Sequence, residues 1–165
     1  MATASALLTA DDLLAAERRA RRQGSGLTRA QLSGRWRLER TWGRSGTPPA
    51  PGSGAALRWL RACLILETQG DQFVITNQVS LASLRLRFRG TADLKGRRPL
   101  LLFSFSRLEV ALAEHILFSK HLPTPKPQRM PFFALIGIDD AHGQLTARGR
   151  GGGLALWVRE NDDRS

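Results

Sequence analysis

Residues 83–90 alternate strictly between apolar side chains and arginines. The alternating positions are Leu84, Leu86 and Phe88 on one side and Arg85, Arg87 and Arg89 on the other. Successive side chains of a β-strand point to opposite faces, so this period of two predicts a strand with one buried face and one wet, strongly basic face. Such a strand needs neighbouring strands and a core on one side only.

Further runs of β-type residues follow one another along the chain. They are 35–41, 64–68, 73–77, 100–106, 108–112, 132–138, 144–150 and 154–160, while 55–60 is ambiguous between a helical turn and a strand. Gln69-Gly70-Asp71 predicts a tight hairpin turn, and a break is expected at Arg107. We therefore predict eight or nine short antiparallel strands. A strand set of this kind removes its free edges by closing into a barrel.

The sequence predicts helices in the amino-terminal part of the chain. A helix is predicted over 7–23, with Thr9 and Asp12 in the capping-box positions, and a second turn over 27–32 with Thr28 and Gln31 in the same spacing. The predicted organisation is a helical extension over 1–31, one antiparallel barrel domain over 32–160 and a polar tail over 161–165.

Two segments are too rich in glycine or proline for regular structure. Residues 43–54 combine glycine, proline and serine and predict a flexible loop. Residues 119–131 contain four prolines and predict an extended connection across the surface.

The chain carries a formal net charge of +11, most of it from arginine. A surface of this sign attracts polyanions, either nucleic acid or anionic lipid head groups. A biased genome composition explains the same arginine count equally well. The charge alone therefore does not choose a partner.

A single cysteine, Cys63, excludes an intramolecular disulfide and lies in an apolar run. It predicts a reducing compartment and a buried, unreactive thiol. The start of the sequence does not have the pattern of a secretory signal, and no apolar stretch is long enough to span a membrane, so we expect neither a signal peptide nor a transmembrane segment. We expect a cytoplasmic protein or one held peripherally on a membrane.

Catalytic and metal-binding patterns are missing from the sequence. His115, His121 and His142 stand outside the known nucleophile and zinc motifs, and the group around Asp139 and His142 reads as a hairpin turn. The glycine-rich run 148–153 lacks the Lys-Ser/Thr of a phosphate loop and favours a turn over an RNA-binding segment. We expect no enzyme activity, no metal and no cofactor.

Gly34-Arg35-Trp36, preceded by a short helical turn, is typical of the first strand of lipocalin-like barrels. The indole closes one end of such a barrel and stacks on an arginine from a late strand. Arg148, Arg150 and Arg159 are the available arginines, and Arg159 follows directly after a strand-like pair. We predict that Gly34, Trp36 and Arg159 form this closure.

Three segments resemble the plastid lipid-associated protein (fibrillin) family, in the small form found in cyanobacteria. They are LSGRWRLERTW (32–42), FVITNQVSL (73–81) and TARGRGGGLALWVRE (146–160), which keep the family's order over about residues 30–160. The chain departs from the family in the run 137–143, in having no tyrosine and in its proline-rich segment.

The resemblance implies a lipocalin-like barrel that binds an apolar small molecule (lipid, quinone or carotenoid) without catalysis, at a thylakoid membrane or lipid-body surface. The patterning supplies a candidate lining of Trp36, Leu84, Leu86, Phe88, Leu101, Phe103 and Phe105. Arg85, Arg87 and Arg89 are the candidate contacts to anionic head groups. An ordinary filled core explains the same apolar residues.

Two other functions stay open at this point. A nucleic-acid-binding module would use the arginine surface, although the aromatic residues fall on the opposite strand face. A chromophore-handling barrel similar to the phycobilin lyases would need an acidic group inside, for which Glu109 and Glu114 are poor candidates by alternation. The sequence does not fix the oligomeric state.

Overall fold

The structure is a computed structural model that describes residues 8–48 and 62–161. In these residues the chain forms nine strands and two helices. The helices are α1 (Ala10–Gln23) and α2 (Arg29–Leu32), and a 3-10 turn covers Pro127–Arg129. The strands are β1 (Gly34–Trp42), β2 (Cys63–Gln69), β3 (Gln72–Leu81), β4 (Leu84–Lys95), β5 (Leu100–Leu112), β6 (His115–His121), β7 (Phe132–Asp139), β8 (Gln144–Gly149) and β9 (Leu154–Glu160).

Eight of the strands close into a ring within one antiparallel sheet. The order around the ring is β1-β2-β3-β4-β5-β7-β8-β9, and β9 pairs back onto β1. β6 lies outside the ring and pairs with β5. The expectation of a mostly β, antiparallel fold is thus confirmed, and the ring encloses the main core.

Local signals place the helices where the sequence predicts them. Thr9 Oγ1 accepts a hydrogen bond from the Asp12 N–H at 3.2 Å, and the Asp12 carboxylate accepts one from the Thr9 N–H at 2.9 Å. α2 begins with the same arrangement. Leu13 of α1 is buried with Ile136 and Leu154, so the helix packs on the outer face of β7 and β9.

Two predictions for residues 106–121 are wrong. β5 does not break at Arg107 but continues to Leu112, because a bulge absorbs Ser106 where the pairing with β4 shifts register. β6 was not predicted, and it extends three residues into the segment expected to be irregular. Its lack of apolar–polar alternation explains the omission.

Four predicted segments lie partly or wholly outside the described residues. They are residues 1–7 of the helical extension, residues 49–54 of the flexible loop, the whole ambiguous stretch 55–60 and residues 162–165 of the polar tail.

Strands β3, β4 and β5 extend beyond the ring and, together with β6, form a projection. β2 pairs with β3 only as far as Gln78, and β7 pairs with β5 only as far as Leu102. We call this projection the wing. It comprises residues 79–81, 84–89, 107–112 and 115–121.

Gly90 lies where the wing leaves the ring. A Cβ atom there would overlap the Ser104 backbone oxygen and lie 2.7 Å from the Phe105 Cα. Only glycine allows β4 and β5 to approach this closely beside the bulge. The pairing of the two strands at this point therefore depends on Gly90.

Candidate functional site

Trp36 and Arg159 pack together at one end of the ring. The Arg159 guanidinium lies 4.2 Å from the centroid of the Trp36 ring, and Trp36 itself is fully buried. Gly34 provides the space for this contact, since a Cβ atom there would lie 2.8 Å from Arg159 Nη1. The structure thus brings together the three residues predicted to form the closure.

Hydrogen bonds fix both side chains of this pair. Trp36 Nε1 donates to the Leu32 carbonyl at 2.8 Å, and Arg159 donates to the carbonyls of Ser33 and Gln31 at 2.9 and 2.8 Å. The chain entering β1 is thereby tied to β9. This end of the ring is filled by side chains.

The other half of the ring encloses a partly open cavity of about 240 Å³. Its lining is mainly apolar and comes from six of the eight strands of the ring, namely β1, β2, β3, β5, β7 and β9. Lining residues include Leu38, Ile75, Val79, Phe103, Phe105 and Trp157. The polar groups of the lining are contributed by Thr41, Cys63 and Asn77. An apolar cavity with a few polar groups suits a small hydrophobic ligand.

The seven candidate lining residues divide into three groups in the structure. Phe103 and Phe105 line the cavity. Trp36 and Leu101 are fully buried in the filled half of the ring. The remaining three lie on the wing, where Leu86 and Phe88 are half-buried and Leu84 is 43% exposed.

Aromatic rings form a continuous chain from the ring interior to the wing. Phe133 lies 5.3 Å from Trp157 and 5.1 Å from Phe103, measured between ring centroids. Phe105 then lies 5.4 Å from Phe103 and 5.6 Å from Phe88. Tilted and edge-on contacts at these distances are favourable, so the cavity wall continues without a polar break onto the wing.

Cys63 lies in the wall of the cavity and is 4% exposed. Burial raises the pKa of its thiol to about 11, with only partial opposition from the charge of Arg35. The thiol is therefore uncharged at neutral pH and acts as a small apolar group. Its neighbours give it no catalytic activation.

The arginines of β4 lie on the outer face of the wing. Arg87 contacts the Gln78 side chain at 3.3 Å and the nearly buried Glu109 carboxylate at 3.6 Å. Arg85 lies 3.0 Å from Glu114. The predicted head-group contacts thus share one face, with Arg85 and Arg87 already paired to acids.

Glu17 of α1 is a buried acid that no pattern in the sequence marks as a candidate site residue. Its carboxylate lies 2.5 Å from Arg148, 2.9 Å from Arg98 and 3.2 Å from Arg21, and only 3% of the residue is exposed. The hydrogen bonds and charge of Arg148 lower the pKa of Glu17 to about 2 against the opposing effect of burial. The cluster fastens α1 to β8 across a separation of 131 residues.

The Asp139 and His142 pair forms a turn. The Asp139 carboxylate accepts the backbone N–H groups of Ala141 and His142 and lies 2.6 Å from His142 Nδ1. These contacts lower the pKa of Asp139, with the His142 side chain the largest cause. Both side chains are exposed, and no group of three metal-ligating residues occurs among the described residues.

The chain matches no protein-family model, and none of the curated proteins matches it. No helix among residues 8–48 and 62–161 has the length and apolar character that a bilayer crossing needs.

Proposed function

We propose that this protein is a lipocalin-like barrel that binds an apolar small molecule, without catalysis, at an anionic membrane or lipid-body surface. The observation that carries the proposal is the apolar cavity opposite the Trp36–Arg159 pair. A ring closed at one end and partly open at the other suits a ligand that enters from one side. A lipid tail, quinone ring or carotenoid end has the required chemistry.

Membership of the plastid lipid-associated protein family is part of the same proposal. The three segments that resemble the family form β1, β3 and the β8–β9 hairpin. β1 lies between β2 and β9 in the ring, so the first and last of these segments are direct neighbours. Two of the three segments that support the proposal are therefore far apart in sequence and adjacent in the fold, while β3 is separated from β1 by β2.

The two alternative functions have less support. Nucleic-acid binding needs aromatic and basic side chains on one accessible face. Here Phe88 and Phe105 contact each other on the inner face, whereas Arg85 and Arg87 lie on the outer face. A chromophore-handling barrel needs an interior acid, and Glu109 also lies on the outer face.

Binding of 1-aminoanthracene, a small apolar fluorophore, tests the cavity. Ala155 lines the cavity, so Ala155→Phe should fill it and weaken binding of the fluorophore at least about tenfold. Thr91→Phe adds an aromatic ring at an exposed position of β4 and serves as the control. Equal binding by both variants would place the fluorophore outside the cavity and remove the support for the proposal.

The natural ligand is sought in organic extracts of the purified protein. Mass spectrometry should find an acyl lipid, quinone or carotenoid that is depleted in the Ala155→Phe extract and retained in the Thr91→Phe extract. Extracts without such a compound, from protein purified in the presence of membranes, would contradict the proposal.

A further inference from the structure

We infer that the wing inserts its apolar tip into an anionic lipid bilayer and so holds the mouth of the cavity at the membrane surface. The inference rests on the proposed function, because it supplies the route by which an apolar ligand reaches the cavity. The inference identifies the wing as the element that contacts the membrane and places its tip inside the bilayer.

Exposed apolar side chains are concentrated on the wing, at its two turns and along β6. The large hydrophobic residues that are more than 40% exposed in the described part of the chain all lie there: Leu81, Leu84, Leu112, Ile116, Leu117 and Phe118. An apolar patch confined to one projection marks a surface that is covered by a partner or a membrane.

The two hairpin turns of the wing form one continuous tip. The Ala113 N–H donates to the Ser83 carbonyl at 2.8 Å, which joins the β3–β4 turn to the β5–β6 turn. Leu81 and Leu84 flank the first turn, and Leu112 directly precedes the second. Because the turns are linked, these side chains present a single apolar surface.

The inner face of the wing continues into the cavity. Val79 pairs with Leu86 within the wing, and Val79 also lines the cavity. Phe88 contacts Phe105, the cavity residue nearest to the wing in the aromatic chain. An apolar ligand can therefore move from bilayer to cavity along side chains of its own polarity.

The charges of the wing favour an anionic surface over other partners. Arg85, Arg87, Arg89, Arg107 and Lys120 outnumber the two acids of the wing and its turns, and Glu109 is nearly buried. Arg85 lies at the tip itself, where it pairs with Glu114. The other four basic residues lie further from the turns and can reach lipid phosphates while the tip enters the acyl layer. A second copy of this chain would bring the same positive charge to the patch.

Sedimentation with lipid vesicles tests the inference. The wild type should bind vesicles of phosphatidylglycerol and phosphatidylcholine, and should bind pure phosphatidylcholine more weakly. Leu117→Ser combined with Phe118→Ser should weaken binding to the mixed vesicles about a hundredfold. Both side chains are more than half exposed, so the folded state should survive the change.

Arg18→Ser combined with Arg19→Ser provides the matched control. Both arginines are exposed on α1, away from the wing. This variant should lose less than about threefold in affinity for the vesicles, because salt screens the attraction between two arginines far from the wing and the lipid head groups. A larger loss for the α1 variant than for the wing variant would overturn the inference.

A fluorescent label reports the depth of the tip. In Leu117→Cys, an NBD label should react selectively because Cys63 is buried, and its emission should shift to the blue on mixed vesicles. The same label at Thr91→Cys should not shift. Vesicle binding without a shift at position 117 would place the contact elsewhere on the protein.

The cavity and the wing are tested separately. The Leu117→Ser, Phe118→Ser variant should bind 1-aminoanthracene in buffer as the wild type does, because neither residue lines the cavity. Absence of fluorophore binding by the wild type would refute the proposed function. Retained fluorophore binding with unchanged vesicle binding would refute the insertion of the wing alone.

Discussion

Arg159 stacks on Trp36 at 4.2 Å and donates hydrogen bonds to the chain that leads into β1. These contacts bind β9 to the start of β1. Since β1 and β9 are the two strands that close the ring, this contact supports the pairing with the largest sequence separation.

Replacing Trp36 by alanine should lower the free energy of unfolding by about 3–5 kcal/mol. The change removes a fully buried indole, the stacking of Arg159 and the hydrogen bond to the Leu32 carbonyl. Trp36→Phe should cost less, because an aromatic ring remains under the guanidinium. Urea unfolding measures both variants, and a near-neutral Trp36→Ala would refute the closure role.

The Glu17 cluster predicts an acid-sensitive attachment of α1. The pKa of Glu17 falls from 4.5 to about 2 on folding, so its carboxylate stabilises the folded state fully above pH 4.5. That contribution is lost progressively as the pH falls from about 4.5 towards 2.

Glu17→Gln should therefore cost about 3 kcal/mol at neutral pH, because three arginines lose a buried charged partner. The difference from the wild type should shrink as the pH falls through that window. Glu67→Gln, at an exposed position, is the control and should change stability by less than about 0.5 kcal/mol. A difference that does not vary with pH would contradict the role of the carboxylate.

Gly90→Ala should destabilise the protein by about 3 kcal/mol or more, because the added methyl group meets the backbone of Ser104 and Phe105. Gly137→Ala is a matched control in β7, where a Cβ atom has no neighbour within 4 Å. It should be neutral or slightly stabilising. Thermal unfolding of both variants checks the prediction, and equal melting temperatures would contradict it.

Cys63 should be chemically inert in the folded protein. With its pKa raised to about 11, little thiolate is present even at mildly alkaline pH. Reaction with DTNB should be about two orders of magnitude slower than in concentrated guanidinium chloride, where the thiol regains an ordinary pKa. Comparable rates in the two conditions would show that the cavity wall opens readily.

Short-range signals allowed much of the fold to be predicted from sequence. The capping residues Thr9 and Thr28 act over three residues, and the alternation in β4 depends only on its own side chains. The Gly34–Trp36 spacing pointed to an arginine partner but left three arginines as possibilities. The stacking of Arg159 depends on the pairing of β1 with β9, which local patterns do not encode.

The features that were missed depend on contacts between distant parts of the chain. Glu17 reads as an ordinary helix-surface acid until α1 meets Arg148. The bulge at Ser106 accompanies the close approach of the paired strands β4 and β5 at Gly90. The size of the cavity depends on the closure of the whole ring, so alternation alone could not separate a pocket from a filled core.

The position of β6 outside the ring makes the protein prone to aggregation in water. Among the described strands β6 alone has a single partner, so its other edge offers free backbone groups beside Ile116, Leu117 and Phe118. Such an edge is a template for cross-β stacking between molecules. Lipid that covers the wing would shield this edge from other molecules. The delipidated protein should therefore be the form that precipitates.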